Sequence, residues 1–84
     1  NYVEIEVRRS EGNKSYLLRE SLSSLEQRLD PSQFSRIARS SIVNINSVQE
    51  LQNMFNGDFI AVLKNGDKVN GSRRYREALD VLLN

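Results

Sequence analysis

From Tyr2 to Arg8 the chain alternates strictly, with Val3, Ile5 and Val7 on one side and Glu4 and Glu6 on the other. A two-residue period marks a half-buried strand, because successive side chains leave opposite faces of an extended backbone. Gly12-Asn13 supplies turn residues, and Ser15 to Arg19 predicts a returning strand that closes a hairpin. The period then lengthens: Leu22, Leu25 and Leu29 recur at helical spacing and predict one apolar face of a short helix. Ser23 followed by Glu26 fits a capping box, with Ser21 as the alternative cap. Pro31, the only proline, closes the helix, and Phe34 anchors the next segment.

Arg36 to Arg39 predicts a short strand, ended by the polar pair Ser40-Ser41. Ile42 to Asn46 is apolar but interrupted by Asn44 and Asn46, which suggests a bend between short elements. Asn44 between Val43 and Ile45 fits a side chain that satisfies backbone groups. Val48, Leu51 and Met54 suit a helix or a strand, whereas Phe59 to Leu63 predicts a strand plainly, and the Asn56-Gly57-Asp58 turn makes another hairpin. Asn65-Gly66 predicts a type I′ hairpin turn, and Lys68 to Asn70 returns as a strand. Ser72 is placed to cap a terminal helix in which Tyr75, Ala78, Leu79 and Leu82 face the core. The expected fold is mainly β, with one short helix and a C-terminal helix, in one domain over residues 1–84. No repeat, linker or low-complexity stretch divides it.

Composition narrows the chemistry. With no cysteine the chain has neither disulfides nor thiolate chemistry, which favours a cytoplasmic protein at this size. With no histidine it lacks the commonest general base and the commonest metal ligand. No apolar run approaches a membrane span, and nothing resembles a signal peptide. Residue 1 already stands in a strand-like pattern, so the chain reads as a fragment of a longer protein. The net charge of +1 is uninformative, but its distribution is not. Residues 1–30 hold five basic and six acidic side chains, whereas residues 31–76 hold seven basic ones against Glu50, Asp58 and Asp67. A local excess of this kind forms a patch for polyanions, or an ordinary solvated surface.

The carboxylates are scattered, no phosphate-binding glycine loop or metal motif occurs, and no enzymatic reading gains support. Ser40-Ser41 would need a lysine or carboxylate as base. More informative is Asn70-Gly71-Ser72-Arg73-Arg74-Tyr75-Arg76. A helix starting after Ser72 would carry Arg73, Arg74 and Arg76 at its positive pole, where the dipole disfavours cations by about 0.3–1 kcal/mol each. Either an anion such as phosphate completes the site, or Glu77 and solvent suffice; helix physics weighs the two evenly. Alternation places Arg36 and Arg39 on opposite strand faces, one available for an internal pair and the other projecting.

Taken in order, Asn1-Tyr2-Val3, Ser21-Leu22 with Leu25-Glu26 and Leu29, Phe34-x-Arg36-Ile37-x-Arg39-Ser40-x-Ile42-Val43-Asn44, Asn65-Gly66 and Ser72-Arg73-Arg74-Tyr75 resemble the LytTR DNA-binding domain of bacterial transcription regulators. The resemblance covers nearly the whole chain. It implies an elongated antiparallel β fold that inserts loops, rather than a recognition helix, into successive major grooves of double-stranded DNA. It implies transcriptional regulation without a cofactor or metal, an upstream receiver domain of a two-component response regulator, and dimers on paired direct repeats. No membrane contact is implied for this domain. The family's three contact loops correspond here to Asn1 and Tyr2, to Arg39 and Ser40, and to Arg73 with Arg74 and Arg76. By that resemblance Arg39 and Arg73 reach base edges, and Ser40 and Arg76 hold phosphates. Family domains begin a strand or two earlier, and often carry histidine where this chain has Ala38. The alternative is a basic β domain that binds a protein or an anionic ligand.

Overall fold

The computed structural model describes residues 2–9 and 12–83, and the side chains of Arg8, Arg9 and Asn13 are left aside. Asn1 and residues 10, 11 and 84 lie outside the described residues. Among the described residues seven strands and two α-helices run in the order β1 (Val3–Arg9), β2 (Gly12–Leu18), α1 (Leu22–Arg28), β3 (Phe34–Ala38), β4 (Ser41–Asn44), β5 (Val48–Asn53), β6 (Phe59–Leu63), β7 (Lys68–Gly71) and α2 (Arg76–Leu83). All strand pairing is antiparallel: β1 with β2, β3 with β4, and β6 between β5 and β7.

In β1 the alternation is realised as read, with Val3 buried, Ile5 and Val7 half-buried, and Glu4 and Glu6 exposed. Gly12-Asn13 does not form the turn. Gly12 pairs with Arg9 and Asn13 with Arg8, so the glycine begins β2, at φ 125°.

Helix α1 is capped by Ser21, whose hydroxyl accepts the Ser24 amide at 3.0 Å. Ser23 lies inside the first turn, so the Ser23–Glu26 capping box is not formed. Leu22, Leu25 and Leu29 are only half-buried and line open clefts, so α1 is not part of the core. The turn into β3 is pinned by Asp30, which accepts the Ser32 hydroxyl at 2.7 Å and the Ser32 amide at 2.9 Å. Those two bonds, the hydroxyl's first, hold the Asp30 carboxyl below the usual carboxylate range. Asn44 does what its setting suggested: its Oδ1 accepts the Asn46 amide at 2.9 Å and caps a 3-10 turn over Ile45–Ser47.

The core gathers on β6. Phe59, Ala61 and Leu63 alternate inward, and Ile37 of β3, Val43 of β4 and Leu79 of α2 close over them. Phe59, Ile37 and Leu79 are wholly buried. Gly71 of β7 lies against the Phe59 ring so closely that any Cβ would overlap it. The stripe on α2 is narrower than its sequence suggests: Leu79 is buried, Tyr75 and Leu82 are half-buried, and Ala78 is exposed.

Both hairpin loops of the three-stranded sheet share one construction. In Lys64-Asn65-Gly66 the Leu63 carbonyl accepts the Gly66 amide at 2.8 Å, and the Leu63 amide donates to the Asp67 carbonyl at 2.8 Å. Only the glycine has positive φ, at 92°. Asn65 does not, so the turn is a three-residue loop with glycine in the left-handed position rather than type I′. Phe55-Asn56-Gly57 repeats the pattern from Met54 to Asp58, with Gly57 at φ 90°. In each loop the asparagine Oδ1 accepts the amide of the aspartate two residues on. Asn-Gly-Asp therefore recurs as a small internal repeat.

The domain measures 33 × 29 × 22 Å. Among the described residues no helix is long and apolar enough to cross a membrane.

Leu79→Ala should destabilise the fold by about 2–5 kcal/mol, the usual cost of emptying a closed core site. Gly71→Ala should also destabilise it, because Phe59 must move, while Leu25→Ala, at a half-exposed position, should cost less than either. Urea unfolding of the three variants checks the order.

Candidate nucleic-acid interface

The two-residue connection Arg39-Ser40 joins β3 to β4, with Ala38 opposite Ser41 and a register shift between Arg36 and Ala38. The guanidinium of Arg36 lies beneath it. Nε donates to the Ala38 carbonyl at 3.2 Å, and Nη2 donates to the Arg39 carbonyl. Nη1 reaches α1, donating to Ser23 Oγ at 3.1 Å and Glu26 Oε1 at 3.4 Å. The Arg36 side chain is only 15% exposed. With two of the turn's carbonyls held inward, Arg39 and Ser40 are exposed, and the Arg39 side chain has no partner among the described residues.

The second basic segment sits beside this turn. The Ser72 amide donates to the Ile37 carbonyl at 2.7 Å, which joins the end of β7 to β3 two residues before Arg39. Ser72 does not cap a helix through its side chain, and α2 starts at Arg76 rather than Arg73. Arg73–Tyr75 forms a 3-10 turn instead. Its leading amide, that of Arg73, donates to Asp58 Oδ1 at 2.9 Å, so a carboxylate of the chain itself occupies the positive pole. Glu77 supplies a second carboxylate in the first turn of α2. An external anion is therefore not needed to satisfy this helix start.

Arg73 and Arg74 are exposed, and neither guanidinium has a hydrogen-bond partner among the described residues. The aliphatic stem of Arg73 passes over Gly57, within 3.2–3.3 Å of where a Cβ would stand. The Tyr75 ring links the two basic segments, with the Arg74 guanidinium 5.8 Å and the Arg36 guanidinium 5.9 Å from its centroid. Both distances are within cation–π reach.

Arg76 is engaged within the fold. Its Nε pairs with Asp80 at 3.0 Å, Nη1 donates to Asn53 Oδ1 at 2.6 Å, and the guanidinium lies 5.2 Å from the Phe59 ring centroid. It fastens α2 to β5 and roofs the core, leaving Nη2 and the second Nη1 hydrogen as its remaining donors.

Tyr2 is 69% exposed and borders an open cleft that Arg39 and Ser40 also border. Asn1 lies outside the described residues. The structure thus brings Arg39, Ser40, Arg73 and Arg74 together at one end of the sheets, sets Tyr2 along the adjoining cleft, and ties Arg76 to Asp80, Asn53 and the Phe59 ring. The sequence reading allowed one of Arg36 and Arg39 an internal pair without saying which, and it missed two contributors to this surface: Tyr75 between the segments, and Asp58 on the Arg73 amide. The recurring Asn-Gly-Asp triplet was the one local sign that Asp58 belongs to a built loop. Among the described residues no three acidic side chains gather as metal ligands would.

Comparison with known proteins bears on this geometry. The family model described as the LytTr DNA-binding domain matches residues 1–84. The sensory transduction protein LytT of Bacillus anthracis is 39% identical over 70 residues, covering 83% of this chain and 28% of that protein. The transcriptional regulatory protein LytR of Staphylococcus aureus strain N315 is 38% identical over 63 residues, covering 75% of this chain and 26% of that protein. The chain thus spans little more than a quarter of such relatives. A solved LytTr DNA-binding domain from Bacillus cereus superposes with a TM-score of 0.74 at 28% identity, covering 98% of this chain and 78% of that one. With the family model matched from end to end and the same fold in a solved member, the chain belongs to the LytTr DNA-binding domain family.

Proposed function

We propose that this chain binds double-stranded DNA sequence-specifically as the output domain of a bacterial transcription regulator. The observation that carries the reading is the pair of adjacent turns presenting Arg39, Arg73 and Arg74 exposed, with guanidinium groups that have no hydrogen-bond partner among the described residues, beside an Asp58 carboxylate committed to a backbone amide. Unpaired arginines on fixed turns suit both phosphate and guanine, which each accept two parallel N–H bonds.

In this reading the adjacent Arg39-Ser40 and Arg73-Arg74 turns enter one major groove, which is about 12 Å wide and admits a two-stranded ribbon. Successive major grooves on one face of the duplex lie about 34–36 Å apart. The 33 Å long axis of the domain is of that scale, so a contact in the next major groove falls to a part of the domain away from these two turns. Arg39 and Arg73 reach base edges, and Ser40 holds a phosphate. Arg76 has two of its five N–H donors committed within the fold, so it offers a phosphate the remaining three and contributes structurally as well. Asn1 and Tyr2 begin a third contact. Regulation by an upstream receiver domain, and dimers on paired direct repeats, complete the proposal for the longer protein of which residues 1–84 would be the DNA-binding domain.

If the basic turns neutralise phosphates, log affinity for a duplex should fall linearly with log salt, by about 0.9 per phosphate contacted. Affinity that is flat between low and physiological salt contradicts docking through these turns, and equal affinity for operator and scrambled duplex favours a general anion-binding surface. Arg73→Ala should cost about 1–3 kcal/mol on the cognate duplex and relax preference at one base position. Arg76→Ala should lower thermal stability and weaken all sequences alike. Competition titrations against single-base operator variants, beside melts of both proteins, separate these outcomes.

A further inference from the structure

The loop between β5 and β6 belongs to none of the proposed contact segments, yet it touches Arg73 twice. Gly57 lies under the Arg73 stem, and Asp58 Oδ1 accepts the Arg73 amide at 2.9 Å. The loop is itself fixed. The Asp58 amide is bonded to Asn56 Oδ1 at 3.2 Å, the Met54 amide to the Asp58 carbonyl at 2.8 Å, and Gly57 takes the φ of 90° that side chains avoid. A carboxylate at the edge of a surface built to meet phosphates repels the ligand, so its presence there calls for a compensating role.

We propose that Asp58 is a positioning residue for Arg73: with Gly57 it holds the Arg73 turn in the free protein in the orientation that reads DNA. The proposal rests on the DNA-binding function proposed for the two basic turns. An arginine reads guanine through two parallel bonds, so a turn free to pivot forfeits geometric selectivity before it forfeits charge. Asp58 fixes the backbone at the first residue of the turn, and Gly57 lets the stem run close to the loop, where a Cβ would stand within 3.2–3.3 Å of it. The carboxylate also faces the positive end of the 3-10 turn and is favoured there.

The experiment uses the 84-residue chain and a set of duplexes differing from the cognate site by single base pairs. Asp58→Ala should reduce discrimination at the base read by Arg73 about tenfold, within the range that one bidentate contact contributes, and leave the other positions unchanged. Asp58→Asn retains an Oδ1 acceptor and should restore discrimination to within about twofold of the parent. Amide exchange on the free parent protein should find Arg73 protected like a strand amide, a readout independent of whether Asp58→Ala folds. Full discrimination in Asp58→Ala, alongside its loss in Arg73→Ala, overturns the positioning role and spares the DNA-binding reading. An unprotected Arg73 amide in the parent overturns it too. Intact discrimination in Arg73→Ala overturns the base-reading role first, and this inference with it.

Discussion

One guanidinium, that of Arg36, does more to arrange the surface than any group on the surface itself. It gathers the carbonyls of Ala38 and Arg39, the Ser23 hydroxyl and the Glu26 carboxylate, and it lies against Tyr75. A cation only 15% exposed must be compensated by acceptors, and here they come from separate parts of the chain. Five fixed donors in a plane allow this; a lysine, with one compact charge, would not span the set. The consequence is directional. Turn carbonyls that would otherwise face solvent, and repel phosphate, are drawn inward beneath the side chains of Arg39 and Ser40.

The same logic repeats at the second turn with the charges reversed. There the exposed groups are again arginines, but the backbone is held by a carboxylate, Asp58, acting on the Arg73 amide. The two turns are joined through the Ser72–Ile37 backbone bond and through Tyr75, beside the β6 core. Core and surface are connected by the close approach of Gly71 to Phe59, which lets β7 end where the Arg73 turn must begin. Arg76, stacked over Phe59, seals that junction from outside.

How much of this is legible in the sequence depends on the range of each interaction. Strand alternation in Val3–Val7 and in Phe59–Leu63, and the leucine spacing of α1, are local patterns and are realised. The two departures at turns have a common cause. Asn-Gly serves either a two-residue or a three-residue loop, and Gly12 either a turn or a strand end, and the pairing register decides between them. Ser72 followed by arginines has the local form of a helix cap, but Asp58, in a loop remote in sequence, takes the amide that begins the turn. Arg36 and Arg39 are separable by alternation, yet not by role, because the acceptors that draw Arg36 inward include carbonyls, which carry no side-chain signature. Arg76 reads as a surface arginine for the same reason: Asn53 and Phe59 meet it only in the folded chain.

In the proposed function the Arg39-Ser40 and Arg73-Arg74 turns form one DNA-binding surface that is already in place in the free protein. The decisive measurement is a titration of isotopically labelled protein with a cognate duplex, tracking every backbone amide. Large shifts are expected at Arg39, Ser40, Arg73 and Arg74, with small shifts at Ile37, Phe59 and Leu79, since the scaffold does not rearrange. Shifts concentrated instead on the outer face of α2, around Ala78 and Val81, or spread through the core, would contradict a preformed surface at these turns.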